Sequence, residues 1–189
     1  MSRAKILESI RQNAPEFTPL PEHFKSTGYK PDRDLKETFK ANLKIVGGEF
    51  EELSGKEEVA PYLEKYYPEA LDFSKQEIWV EYPPSCLKDK LDQLGTSLLE
   101  GQLGVAENGA IWLDDTNFPN RLVSFITQRL IIILDSKQIV SDMNAAYDRI
   151  NLGDTGFGVF ISGPSKTADI EQSLVYGAHG AKEMVVILY

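Results

Sequence analysis

The chain has 189 residues, a formal net charge of -9, 42% hydrophobic and 26% charged residues. This describes one soluble α/β-sized domain that can bury a core without a metal or disulfide staple, and its acidity disfavours nucleic acid as a partner. No Lys/Arg cluster offsets that charge, and no apolar run reaches the roughly 20 residues of a membrane span or forms a leader, so the cytoplasm is the expected compartment.

Ser2 to Arg11 reads as a short amphipathic helix with Ile6, Leu7 and Ile10 on one stripe. Pro15 ends it, and Pro19, Pro21 and Pro31 continue an extended arm. Residues 1–33 are therefore set apart as a helix and proline-rich arm, with 34–189 as the α/β domain. The arm suits either a dimer element, hence a homo-oligomer, or a loose tail.

Asp34 to Asn42 reads as a helix with Leu35, Phe39 and Leu43 inward. Lys44-Ile45-Val46 then reads as a strand ended by Gly47-Gly48. Glu57 to Tyr67 is predicted as a second helix and Glu77 to Val80 as a strand. Cys86 is the only cysteine, which excludes an intramolecular disulfide, an iron–sulfur cluster or a cysteine-based zinc site in this chain. It follows Pro83-Pro84, and only His23 and His179 could activate it, so it reads as an incidental thiol rather than a nucleophile.

Gly104 to Leu113 predicts two short strands joined through Asn108-Gly109, a pair that tolerates positive φ. Arg129 to Leu134 is an unbroken apolar run expected as a central strand buried on both faces. Gln138 to Ile150 reads as a helix with Ile139, Met143, Ala146 and Ile150 on one face. No internal repeat interrupts the chain.

The last segment reads as strand, ligand-facing loop, crossover helix and strand. A strand ends near Ser162, Gly163-Pro164 turn the chain, and Ser165 or Thr167 caps a helix that Gly177 ends. Open α/β sheets bind ligands at such turns. A helix N-terminus beside Lys166 would favour an anion, while Asp169 and Glu171 in the first turn would oppose it. The same residues also read as capping alone. His179 fits either an acid/base group or a structural partner of the helix end. Neither a Gly-x-x-x-x-Gly-Lys-Ser/Thr loop nor a Gly-x-Gly-x-x-Gly run after a strand is present.

Gly163 to Glu171, followed by Leu174 to Gly180 with its Gly-Ala-His-Gly, resembles the C-terminal signature of the LUD domain family, and within it the lactate utilization C group. Ala106-Glu107-Asn108-Gly109 stands where that family has Ala-Glu-Thr-Gly, so Asn108 departs from it. Arg3 to Leu7 also resembles the family's usual start. The resemblance covers residues 104–189 well and the rest weakly. It implies a NagB/RpiA/CoA transferase-like fold, a parallel-rich mixed sheet flanked by helices. It also implies participation in oxidation of L-lactate to pyruvate beside iron–sulfur partner proteins. Gly163, Ser165, Lys166, Thr167, Asp169 and His179 are then the candidate ligand-binding residues for a small anionic metabolite, with the cofactor unassigned. Glu-Asn-Gly is similar to the catalytic glutamate segment of class I CoA transferases, which makes Glu107 a candidate nucleophile. A free-standing transferase or ligase and a pure assembly module are the alternatives. The glycine-rich nucleotide segment of the related folate cyclo-ligases is not visible.

Overall fold

A computed structural model describes residues 3–15, 34–74, 94–115, 121–151, 156–168, 174–177 and 179–189. Helix α1 (Arg3–Gln12) buries none of its residues. Helix α2 (Leu35–Ile45) opens on Asp34, whose carboxylate accepts the Lys36 N–H at 2.8 Å. Phe39 and Leu43, one turn apart, are fully buried, as the stripe predicts. The strand expected at 44–46 is instead the end of this helix and its cap. Burying Leu43 beneath Phe39 holds the helix for another turn and leaves Ile45 in solvent. The strand begins after Gly47-Gly48, as β1 (Glu49–Glu52).

A 3-10 turn (Lys56–Glu58) leads into α3 (Val59–Tyr66), the predicted second helix. Strands β2 (Leu71–Asp72) and β3 (Thr96–Glu100) were not foreseen, because neither has a regular alternation. The strand expected at Glu77–Val80, Cys86 and His23 lie outside the described residues. Strands β4 (Leu103–Val105) and β5 (Ala110–Asp114) pair antiparallel through the Asn108-Gly109 turn, as expected. Gly109 has φ +65, and a Cβ there would stand 2.7 Å from the Leu43 backbone nitrogen. The turn therefore packs directly on the end of α2.

Beyond the short α4 (Val123–Ile126) lies β6 (Arg129–Leu134), the predicted central strand. The helix expected from Gln138 starts later. Gln138 ends a 3-10 turn, and Ile139-Val140 form β7 against Gly104-Val105. Asp142 then caps α5 (Met143–Arg149) by accepting the Ala145 N–H at 2.8 Å. Two buried β-branched residues gain more from the sheet than from an extra helical turn.

The larger correction is at the C-terminus. After β8 (Gly158–Ile161), the predicted crossover helix is replaced, in its described residues, by β9 (Lys166–Ala168) and β10 (Leu174–Tyr176). These pair antiparallel, with Thr167 opposite Val175. β-branched residues favour such a cross-strand position. The Gly177 N–H donates to the Ser165 carbonyl at 3.0 Å, so the positive φ of Gly177 closes a ribbon rather than a helix.

The last strand, β11 (Glu183–Leu188), completes a five-stranded sheet of order β1-β11-β6-β3-β2. All its pairings are parallel. A four-stranded sheet of order β7-β4-β5-β8 stands beside it and is mostly antiparallel. On one face of the parallel sheet, Leu130, Ile132, Leu134, Met184 and Val186 join Phe39 and Leu43 of α2 in the main core. On the other, Ile131, Ile133, Val185 and Ile187 pack with Val59 of α3. This is a mixed α/β fold with a parallel-rich sheet flanked by helices.

Candidate functional site

The Gly163–Lys166 loop is held from three sides. Gly163 has φ +73, and a Cβ there would collide with the Val46 carbonyl at the end of α2. The Ser162 hydroxyl donates to the Asn108 carbonyl at 2.7 Å. The Ser165 N–H donates to the Ala181 carbonyl at 2.8 Å, just before β11. Asn42 of α2 donates in turn to the Ala106 carbonyl at 2.7 Å. The two segments that carry the family resemblance, 106–109 and 163–166, thus meet around the C-terminal turn of α2.

Beneath this loop lies a cavity of about 300 Å³. Leu130 and Met184, both almost fully buried, belong to its floor, with Val159 and Ile161 of β8 beside them. Ser162, Ser165, Lys166 and His179 stand on its wall, together with Ser124 of α4. Lys166 and His179 are exposed, so they form the rim. The combination of an apolar floor and a few convergent polar groups is the usual make-up of a small-molecule site.

Four of the residues singled out from the sequence, Gly163, Ser165, Lys166 and His179, therefore share one cavity. Thr167 lies on β9 opposite Val175 and is not on the cavity wall. Asp169 is outside the described residues. Glu107 is elsewhere: its carboxylate accepts the Met143 N–H at 2.8 Å, at the start of α5. Its own N–H donates to the Ser141 carbonyl at 3.1 Å. Both bonds tie the hairpin turn to that helix. Ser124 escaped the sequence reading, since nothing in the local pattern of 121–128 marks it. Its hydroxyl donates to the Arg121 carbonyl at 3.1 Å.

The cavity also differs from the expected site in position. The loop follows β8, a strand of the small sheet, and lies at the amino ends of β6 and β11, where Leu130 and Met184 are second residues. It is not at a strand-to-helix turn, and no helix N-terminus supplies positive charge at residues 163–167. Any attraction for an anion here comes from side chains and loop N–H groups. Among the described residues no group of three His, Cys, Asp or Glu side chains is placed to hold a metal. Among them, too, no helix is long and apolar enough to cross a membrane.

Lactate utilization protein C of Bacillus subtilis is 33% identical over 106 residues, which cover 52% of this chain and 44% of that protein. The Bacillus pumilus protein of the same name is 32% identical over 103 residues, covering 51% and 43% respectively. The chain thus matches a little under half the length of these relatives. A crystal structure of a DUF162 family protein from Deinococcus radiodurans superposes with a TM-score of 0.51 at 15% identity, covering 82% of this chain and 95% of that one. That likeness speaks to the fold. The family model of the LUD domain matches residues 84–189, which take in the hairpin turn, the cavity loop and the last strand, and the chain belongs to the LUD domain family.

Proposed function

We propose that this protein is a non-redox subunit of a system that oxidises L-lactate to pyruvate, and that it holds a small organic anion in the cavity beneath Gly163–Lys166. The observation that carries this reading is the convergence of Ser124, Ser165, Lys166 and His179 over the apolar floor of Leu130 and Met184. At about 300 Å³ the cavity is at the small end of ligand sites, which suits a metabolite of a few heavy atoms. The Lys166 ammonium and the His179 ring N–H supply donors at the rim for a carboxylate. The apolar floor suits a methyl or methylene group. The names of the lactate utilization relatives supply the pathway in this reading. Electron transfer would then fall to iron–sulfur partner proteins.

Titration of the full chain with L-lactate and pyruvate tests this. Lys166→Ala should weaken binding about tenfold, the loss of one charge-assisted hydrogen bond. Affinities left unchanged by Lys166→Ala, Ser165→Ala and Thr167→Ala alike would remove the loop from the account.

An assembly role is supported by a separate feature. Ile6, Leu7 and Ile10 of α1 are all exposed and form one apolar stripe. In such a role residues 1–33 are an appendage to the 34–189 domain, and the stripe on α1 is the contact. Recovery of partners with and without residues 1–33 decides between a contact arm and a bystander. A transferase role for Glu107 has less support, because its carboxylate is engaged by α5.

A further inference from the structure

Val159, Phe160 and Ile161 are consecutive on β8, and all three border the cavity beneath Gly163–Lys166. Side chains of neighbouring strand residues point to opposite faces of a sheet. Val159 and Ile161 pack against the main core, to which Leu130 and Met184 of the cavity floor also belong. The Phe160 ring lies on the other face, its centroid 4.8 Å from that of Trp112 and 5.7 Å from that of Tyr147. What Phe160 brings to the cavity is therefore its main chain.

The pairing of β8 fixes which way that main chain turns. The Asp115 N–H donates to the Phe157 carbonyl at 3.1 Å, and the register continues with Leu113 opposite Val159 and Ile111 opposite Ile161. Residues 157, 159 and 161 thus aim their N–H and C=O groups at β5. On β5 the Trp112 carbonyl agrees with this phase, since it turns away from β8 and accepts the Gln102 N–H at 3.1 Å. Phe160, one residue out of phase, turns both its N–H and its C=O to the opposite edge. β8 ends its sheet, and no strand among the described residues pairs with that edge. Such an edge presents donors and acceptors that bind whatever complements them. Here they border the cavity.

Building on the small-anion reading of this cavity, we propose that the Phe160 main chain recognises the ligand and selects an α-hydroxy carboxylate over an α-keto carboxylate. Phe160 offers one donor and one acceptor side by side, its nitrogen and oxygen joined through Cα and C. An α-hydroxy acid offers the complement across the same number of bonds. Its carboxylate oxygen accepts from the N–H, and its hydroxyl donates to the C=O. The second carboxylate oxygen is left for Lys166 or His179 at the rim, and an apolar substituent for Leu130 and Met184. An α-keto acid has acceptors only, so its keto oxygen would face the Phe160 carbonyl with no proton between them. A site built to hydrogen-bond a hydroxyl rejects the analogue that lacks it, because its own polar group is left unpaired.

The test is an NMR titration of the full chain, isotope-labelled at the phenylalanine amide nitrogen and carbonyl carbon, with L-lactate, pyruvate and propionate. Phe160→Tyr, which keeps the ring against Trp112, assigns the two Phe160 signals by their loss. L-lactate should bind at least about tenfold more tightly than pyruvate or propionate, the worth of one hydrogen bond and the penalty for leaving it unmade. L-lactate should shift both Phe160 signals, and propionate the amide alone. Pyruvate binding as tightly as L-lactate would overturn the selection. So would saturable L-lactate binding that moves neither Phe160 signal. In both cases a loss of affinity in Lys166→Ala would still keep the anion in this cavity. Absence of saturation with all three acids would overturn the small-anion reading, and the role of Phe160 with it.

Discussion

The Ser162 hydroxyl donates a hydrogen bond of 2.7 Å to the Asn108 carbonyl, across a separation of 54 residues. It joins the hairpin turn of the small sheet to the loop that roofs the cavity. Both segments also press on the C-terminal turn of α2, through Gly109 on Leu43 and Gly163 on Val46. The end of one helix thus sets the relative position of the two segments that characterise the family.

Gly163→Ala tests this arrangement. The residue has φ +73, and its Cα hydrogens face the Val46 carbonyl. Alanine there meets both backbone strain and a collision with main chain that cannot rotate away. A loss of about 2 kcal/mol or more in urea unfolding is expected, with weaker ligand binding at the cavity.

Glu107 separates anchoring from chemistry. Glu107→Ala removes the acceptor for the Met143 N–H and should cost about 1 kcal/mol of stability. Glu107→Gln keeps an oxygen at the same place and should cost less. If acyl-CoA exchange were detected and Glu107→Gln abolished it while preserving stability, the residue would be a nucleophile after all.

Asp114 should be more sensitive than its surface neighbours. It is 4% exposed and accepts from Trp112 Nε1 at 3.1 Å and Gln102 Nε2 at 2.8 Å. Asp114→Ala strands both donors, and a loss of about 2–4 kcal/mol is expected. The fluorescence of Trp112 should change in the folded variant, because its ring nitrogen loses its partner.

Alkaline pH should reveal Tyr62. Burial, aided by the negative charge of Glu51, pushes its phenol from 10.0 up to about 12. Because the folded state holds this proton more tightly, its contribution to stability is complete below pH 10.0 and disappears as pH rises toward about 12. Tyr62→Phe should flatten that part of the stability profile. Phenolate absorbance should show one late-titrating tyrosine fewer in the variant than in the native protein. Tyr67 is shifted in the same direction, chiefly by burial, and supplies the control Tyr67→Phe.

Deleting residues 1–15 should leave the thermal midpoint of the domain within a degree or two (about 0.5 kcal/mol), since α1 buries no residue. A large fall in the midpoint would make the N-terminal helix part of the domain.

Much of this molecule is determined locally and was readable from the chain itself. The 130–134 run is buried on both faces because every side chain in it is apolar, and it forms most of the middle strand of the parallel sheet. The stripe of Leu35, Phe39 and Leu43 defines a helix face, and Asn108-Gly109 a turn, through contacts within a few residues. The signature around Gly163 and His179 points to the family for the same reason, being contiguous in sequence. Tertiary structure alone decided which partner each segment meets. Residues 166–168 and 174–176 carry patterns that suit helix or strand, and pairing with each other settled them as a ribbon. Ile139-Val140 left a helical stripe to complete the edge of a sheet. The joining of β8 to β5 rather than to the parallel sheet put the cavity at the amino edge and left the carboxyl edge open. Side-chain periodicity fixes which face of an element is buried, but the choice of neighbour depends on burial summed over residues far apart in the chain.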